Sequence, residues 1–100
     1  MERIPEAPID RLELAGEYDL TRRDELRELL SHLDGNRPVV IDVHLVSYVD
    51  SSFLNELATF RKSRDGCTVT IDGAAPALSR ILKLLSFDKL FTIVDRPASS

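Results

Sequence analysis

The sequence predicts a single α/β domain in which strands and helices alternate along the chain, and three observations carry that expectation. Apolar residues repeat with period two in some stretches and at i, i+3, i+4, i+7 in others, and the two kinds of stretch take turns. Glycine-containing pairs, Asp34-Gly35, Asp65-Gly66 and Asp72-Gly73, punctuate their ends. A length of 100 residues holds one modest core and not two, so the whole chain, 1–100, is expected to be one unit. Alternation of this kind leads to right-handed crossovers and a largely parallel sheet, with room for an antiparallel edge strand.

Residues 1–8 contain two prolines and two glutamates and read as a flexible leader. Leu12 to Ala15 make a brief first strand, which Gly16 is expected to stop. A helix then runs from about Thr21 to Asp34. Leu26, Leu29, Leu30 and Leu33 form its apolar stripe, Thr21 with Asp24 makes a capping pair, and Asp34-Gly35-Asn36 ends it. Pro38 cannot donate to a ladder and suits the start of the next strand, where Val39, Val40 and Ile41 lead into an alternation of Ile41, Val43 and Leu45 with Asp42 and His44. At Asp50 the period changes to that of a helix through Phe53, Leu54, Leu57, Ala58 and Phe60, which continues to about Arg64. Cys67 to Ile71 form the third strand, with Asp72-Gly73 turning out of it. Pro76 fits the first turn of a third helix with the stripe Leu78, Ile81, Leu82 and Leu85, from which Leu84 departs. Phe91, Ile93 and Val94 offer a last strand, and residues 96–100 read as a flexible tail. By these stripes Leu29, Leu57, Ile81 and Leu82 belong to the core.

The composition, 43% hydrophobic and 30% charged, is that of an ordinary globular protein. Seventeen acidic and thirteen basic residues give a net charge of −4, and no stripe of Lys or Arg stands ready to neutralise phosphates, so direct nucleic-acid binding is not expected. No stretch approaches 18 apolar residues and the N-terminus has no apolar signal region, so neither a membrane span nor secretion is expected. The single Cys67 cannot form an internal disulfide. Beside Val69 and Ile71 it reads as a buried thiol in a reducing compartment, which points to the cytoplasm.

Most enzymatic chemistry lacks its parts. There is no Gly-x-Gly-x-x-Gly and no Walker loop, since the four glycines are scattered, so no cofactor is expected. His32 and His44 have no second His or Cys at ligand spacing, which argues against a metal. Ser51 sits in no Gly-x-Ser-x-Gly elbow and has no general base nearby in sequence.

What remains is the junction Asp50-Ser51-Ser52, between an apolar strand and an amphipathic helix. All three side chains carry oxygens able to accept from the free N–H groups of a first helical turn, so the three residues suit simple capping. The same helix N-terminus also suits an added phosphate, because its N–H groups and macrodipole favour negative charge.

Taken together, Gly16-Glu17-Tyr18-Asp19-Leu20, Val39 to Val43, Val49-Asp50-Ser51-Ser52-Phe53-Leu54 and the stretch from Pro76 to Phe91 resemble the successive blocks of the STAS domain of bacterial anti-sigma factor antagonists. The match extends over about residues 9 to 95. The resemblance implies a mixed four- to five-stranded sheet, with Val39–Val46 central and helices mainly on one face. It also implies a non-enzymatic regulator whose unphosphorylated form binds an anti-sigma factor, a GHKL-type serine kinase, and so releases a sigma factor. Ser51, directly after Asp50, occupies the phosphoacceptor position, and Asp19, Asp50, Ser51, Ser52 and Asn55 fall on the partner-binding surface. Ser52 serves equally well as a helix cap. A second role open to such a domain is that of an unphosphorylated accessory subunit on a transporter or signalling assembly. Two positions depart from the family pattern: Phe53 stands where Gly is usual, and Ser86-Phe87 where Gly-Leu is common.

Overall fold

The computed structural model describes residues 9–33, 37–64 and 68–96. Their order is β1 (Asp10–Tyr18), α1 (Arg23–Ser31), β2 (Val39–Val49), α2 (Ser51–Lys62), β3 (Val69–Ala74), α3 (Pro76–Leu84) and β4 (Thr92–Asp95), with 3₁₀ turns at Leu20–Arg22 and Phe87–Lys89. The expected alternation is therefore present. Asp34-Gly35-Asn36, Asp65-Gly66, the burial of Cys67, and residues 1–8 and 97–100 lie outside the described residues.

The four strands form one sheet in the order β1-β2-β3-β4, which places β2 inside it as expected. Every pairing among the described residues is parallel, so the antiparallel member of a mixed sheet is absent from them. The reason lies in the connections: each passes through a helix, and a helical crossover returns the chain to the end of the sheet from which it started. With neighbouring strands joined this way and the usual right-handed sense, the helices share one face. Leu14, Val39, Ile41, Val43, Val69 and Ile71 join Leu26, Leu30, Phe53, Leu57, Phe60 and Leu82 in a single buried cluster. The alternate positions, Arg11, Glu13, Asp42, Asp72 and Thr92, make the other face polar.

Three expectations need correction. Gly16 does not stop β1, and Asp72-Gly73 do not turn out of β3. Both glycines have positive φ, +88° and +83°, and both lie where the register against the neighbouring strand shifts. A bulge takes up the glycine and the strand continues. Gly73 is further constrained, because a Cβ there would stand 2.7 Å from the Cβ of His44. The first helix is shorter than its stripe suggests, and its entry is capped by Asp19, whose carboxylate accepts from the Thr21 N–H at 3.0 Å, in place of the Thr21 and Asp24 pair.

The third correction concerns α3. Leu82 is fully buried and Leu78 packs partly against the core, but Ile81 is 41% exposed and Leu85 is exposed as well. In place of Ile81 the helix turns Ser79 inward, where its hydroxyl donates to Asp95 of β4 at 2.6 Å. Leu57 is core as expected, while Leu29 packs at the margin of the cluster.

Both departures from the family pattern have a local account. Phe53 is buried, with its ring 5.4 Å from that of Tyr18, so it belongs to the core. Ser86 has φ +64°, ψ +24° and is the sole non-glycine residue with positive φ among those described. That left-handed conformation is the one glycine adopts at least cost, which is why Gly would serve at this position.

Candidate functional site

β1 and β2 are parallel and pair as far as Tyr18 with Val49, so the residues after each strand, Asp19 and Asp50, leave the sheet at the same edge. The Asp50 N–H donates to the Tyr18 carbonyl at 3.1 Å and ties the two exits together. This juxtaposition is set by strand register and could not be read from either segment alone.

Asp50 is extended (φ −121°, ψ −171°), and its carboxylate accepts from the N–H groups of Ser52 at 2.9 Å and Phe53 at 3.3 Å. Of the three junction residues, Asp50 is thus the cap, and a capping role for Ser52 is not found. Ser51, the first residue of α2, is exposed, and Ser52 is half-buried. Neither hydroxyl has a hydrogen-bond partner among the described residues. Asn55 is exposed one turn further along, on the same side of the helix as Ser51.

Asp19 has the same conformation and role at its own turn (φ −110°, ψ −171°). Hydrogen bonds from the Thr21 hydroxyl and N–H hold its carboxyl below the ordinary carboxylate range, so it is anionic at neutral pH. Arg22, which the sequence reading did not single out, organises this loop. Its guanidinium lies 4.0 Å over the Tyr18 ring, donates to the carbonyls of Ala15 (2.9 Å) and Glu17 (3.0 Å), and pairs with Glu25 at 2.7 Å. No sequence signal marks it, since an Arg early in a helix is ordinarily a solvated residue.

The arrangement presents an exposed Ser51 at a helix N-terminus, next to the capping carboxylate of Asp50, with Asp19 leaving the sheet at the same edge. Of the two histidines, His44 is bonded to Asp42 and His32 lies beside Glu28 at 3.9 Å, and among the described residues neither is hydrogen-bonded to Ser51. Among the described residues no group of His, Cys, Asp and Glu is placed to hold a metal. None of the described helices is long and apolar enough to cross a membrane.

A second polar cluster, also unforeseen, sits on the uncovered face of the sheet. Asp42, only 3% exposed, accepts from Arg11 at 2.5 Å and is bonded by the ring and the N–H of His44, with Asp72 3.6 Å from the same Arg11. Burial pushes the Asp42 carboxyl up, but these hydrogen bonds outweigh it and leave it below the ordinary range.

Compared with known proteins, residues 5–95 match the family model described as "Mlab, STAS domain". Among solved structures, the crystal structure of a sulfate transporter family protein from Wolinella succinogenes matches with a TM-score of 0.71 at 18% identity, covering 92% of this chain and 82% of that one. Likeness at that level of identity is a likeness of fold.

Proposed function

The chain belongs to the STAS domain family, and on that premise we propose that it is a non-enzymatic anti-sigma factor antagonist switched by phosphorylation of Ser51. The unphosphorylated form binds an anti-sigma factor of the GHKL serine-kinase type and thereby releases a sigma factor. The observation that carries this reading is the exposure of the Ser51 hydroxyl at the start of α2, while the adjacent Asp50 is committed to the cap. A kinase can reach Ser51 without opening the helix.

The physics of the switch follows from charge. A phosphate adds about −1.5 to −2 charges to a neutral hydroxyl. The helix N-terminus tolerates that charge, so the fold survives. A partner surface shaped for a neutral Ser, with Asp50 already beside it and Asp19 leaving the sheet at the same edge, would instead have to bury an unpaired dianion. Binding is then lost and the fold kept.

A second reading, an unphosphorylated accessory subunit on a transporter assembly, draws support from the transporter-family protein that shares this fold. One experiment separates the two. The protein is incubated with its cognate kinase and ATP, and the modified residue is mapped by mass spectrometry. Phosphate on Ser51, with Ser51→Ala still binding the kinase and Ser51→Asp binding weakly, supports the switch. Phosphate on Ser52 alone overturns the residue assignment, and no phosphate from a kinase active on other substrates favours the accessory role.

A further inference from the structure

Strand β1 is an edge of the sheet: β2 pairs with one side of it, and no described strand pairs with the other. The register fixes which backbone groups the open side offers. The Asp10 N–H donates to the Pro38 carbonyl at 3.0 Å, and Asp10 to Glu13 pair without a break with Val39 to Asp42. In a parallel ladder alternate residues turn their N–H and C=O toward the neighbour, so Asp10 and Leu12 face β2 while Arg11 and Glu13 present both groups outward. Further along, the edge is closed, because Arg22 donates to the carbonyls of Ala15 and Glu17. An open edge of this kind is a template for another strand. Residues 1–8 include Pro5 and Pro8, which have no N–H to offer it.

We propose that the occupant of this edge is a second copy of the chain, joined β1 to β1 in antiparallel sense about a two-fold axis through Leu12, so that the two sheets run on as one. The proposal is independent of the role of Ser51. Charge selects both the partner and the register. A pairing centred on Arg11 sets that residue against its own copy, and one centred on Glu13 does the same for Glu13 and also needs the Ala15 carbonyl that Arg22 holds. Centred on Leu12, the pairing places Arg11 opposite the partner subunit's Glu13, twice by symmetry, and every outward N–H and C=O of Arg11 and Glu13 finds a mate. Opposite charges directly across a strand pair stabilise it and like charges destabilise it. Both side chains are exposed and suited to the contact. Arg11 reaches Asp42 and Asp72 through Nη2, which leaves Nε and Nη1 for a third carboxylate, and Glu13 makes no hydrogen bond or ion pair among the described residues. On the helix side of the sheet the half-buried Leu12 meets its own copy. Arg23 and Arg27 engage Glu56 on the α2 side of α1, so the half-buried Leu29 lies on the other flank of that helix, toward the open edge.

Sedimentation of the full chain over about 1–200 μM reads the association, with Glu13→Arg compared against Asp88→Arg, which makes the same change of charge at an exposed position beside β4. Circular dichroism confirms that each variant is folded. Leu12→Cys and Asp10→Cys, each in a Cys67→Ser background, are oxidised and resolved without reductant. Residues opposed in a non-hydrogen-bonded antiparallel pair have Cα atoms about 4.5 Å apart, within reach of a disulfide, and Leu12 is such a residue on the axis, whereas Asp10 faces the partner subunit's Leu14 and not its own copy. The expected result is a wild-type monomer–dimer equilibrium whose Kd rises about tenfold or more in Glu13→Arg and less than about twofold in Asp88→Arg, with a covalent dimer from Leu12→Cys and not from Asp10→Cys. A wild type that stays monomeric throughout overturns the proposal, since the edge then holds no second copy. A dimer indifferent to Glu13→Arg, or weakened equally by Asp88→Arg, overturns it as well, because association then runs through another surface or through net charge alone. Cross-linking of Asp10→Cys as readily as Leu12→Cys overturns the register.

Discussion

Replacing Asp50 separates the two things its carboxylate does, capping α2 and placing negative charge beside Ser51. In Asp50→Ala the N–H groups of Ser52 and Phe53, held at 2.9 and 3.3 Å in a half-buried setting, lose their acceptor. N-cap removal costs about 0.5–2 kcal/mol, and with two donors released the expected loss is about 1–2 kcal/mol. For a domain of this length each kcal/mol shifts the melting temperature by about 5 °C, so Asp50→Ala should melt about 5–10 °C lower. Asn caps as well as Asp, so Asp50→Asn should keep the cap and lose only the interaction of the charge with the helix dipole, about 0.3–1 kcal/mol. Ser52→Ala touches no capping bond and should stay within about 0.5 kcal/mol of wild type. Thermal melts followed by circular dichroism, with urea titrations of the same four proteins, give all three differences. Ser52→Ala falling as far as Asp50→Ala would refute the assignment of the cap, as would an unchanged melt for Asp50→Ala.

Further expectations concern the core, the bulge and the acid limb. Leu57→Ala, at a fully buried position, should cost about 2–5 kcal/mol in urea unfolding, and Ile81→Ala clearly less, since that side chain is already partly in water. Equal losses would show that the flank of α3 was misplaced. Gly73→Ala should cost about 1–3 kcal/mol or more, because the residue is held at φ +83° and the new methyl meets His44. A neutral result in the same titration would mean that β3 has no bulge there. The folded-state carboxyl of Asp42 lies below its ordinary value, so the stability it contributes is present above the unfolded pKa, about 3.9, and is lost as pH falls through the lower folded value. The gap in stability between wild type and Asp42→Asn should therefore narrow on acidification below about pH 4. A gap independent of pH would show that the carboxylate's charge is not what Arg11 and His44 stabilise.

Much of the fold was legible in the order of residues because hydrophobic period is a local record of which side of an element faces inward. The apolar run from Val39 to Val43 and the change at Asp50 mark β2 and α2, and the stripe through Leu57 and Leu82 marks true core, but the alternation fails at Leu45, 59% exposed, where the register against β1 shifts and Val46 turns inward in its place. Phe53 likewise falls on the stripe of α2 and is buried there. The same local record is silent about what an element packs against. Ile81 has the spacing of a core residue and yet is 41% exposed, while α3 turns Ser79 inward, where it donates to Asp95 sixteen positions away. Gly16 and Gly73 read as terminators, since a glycine that ends a strand and one that bends it within a bulge look alike until the neighbouring strand is in place. The candidate site divides in the same way. An acidic residue and two hydroxyls before a helix are visible in the sequence, but which of the three caps is decided by the extended backbone at Asp50, whose N–H is fixed by the Tyr18 carbonyl. Asp19 leaves the sheet level with Asp50, and Arg11 bonds to Asp42, because parallel registry brings residues thirty-one positions apart together, and pairing across strands leaves no mark on the local pattern of either.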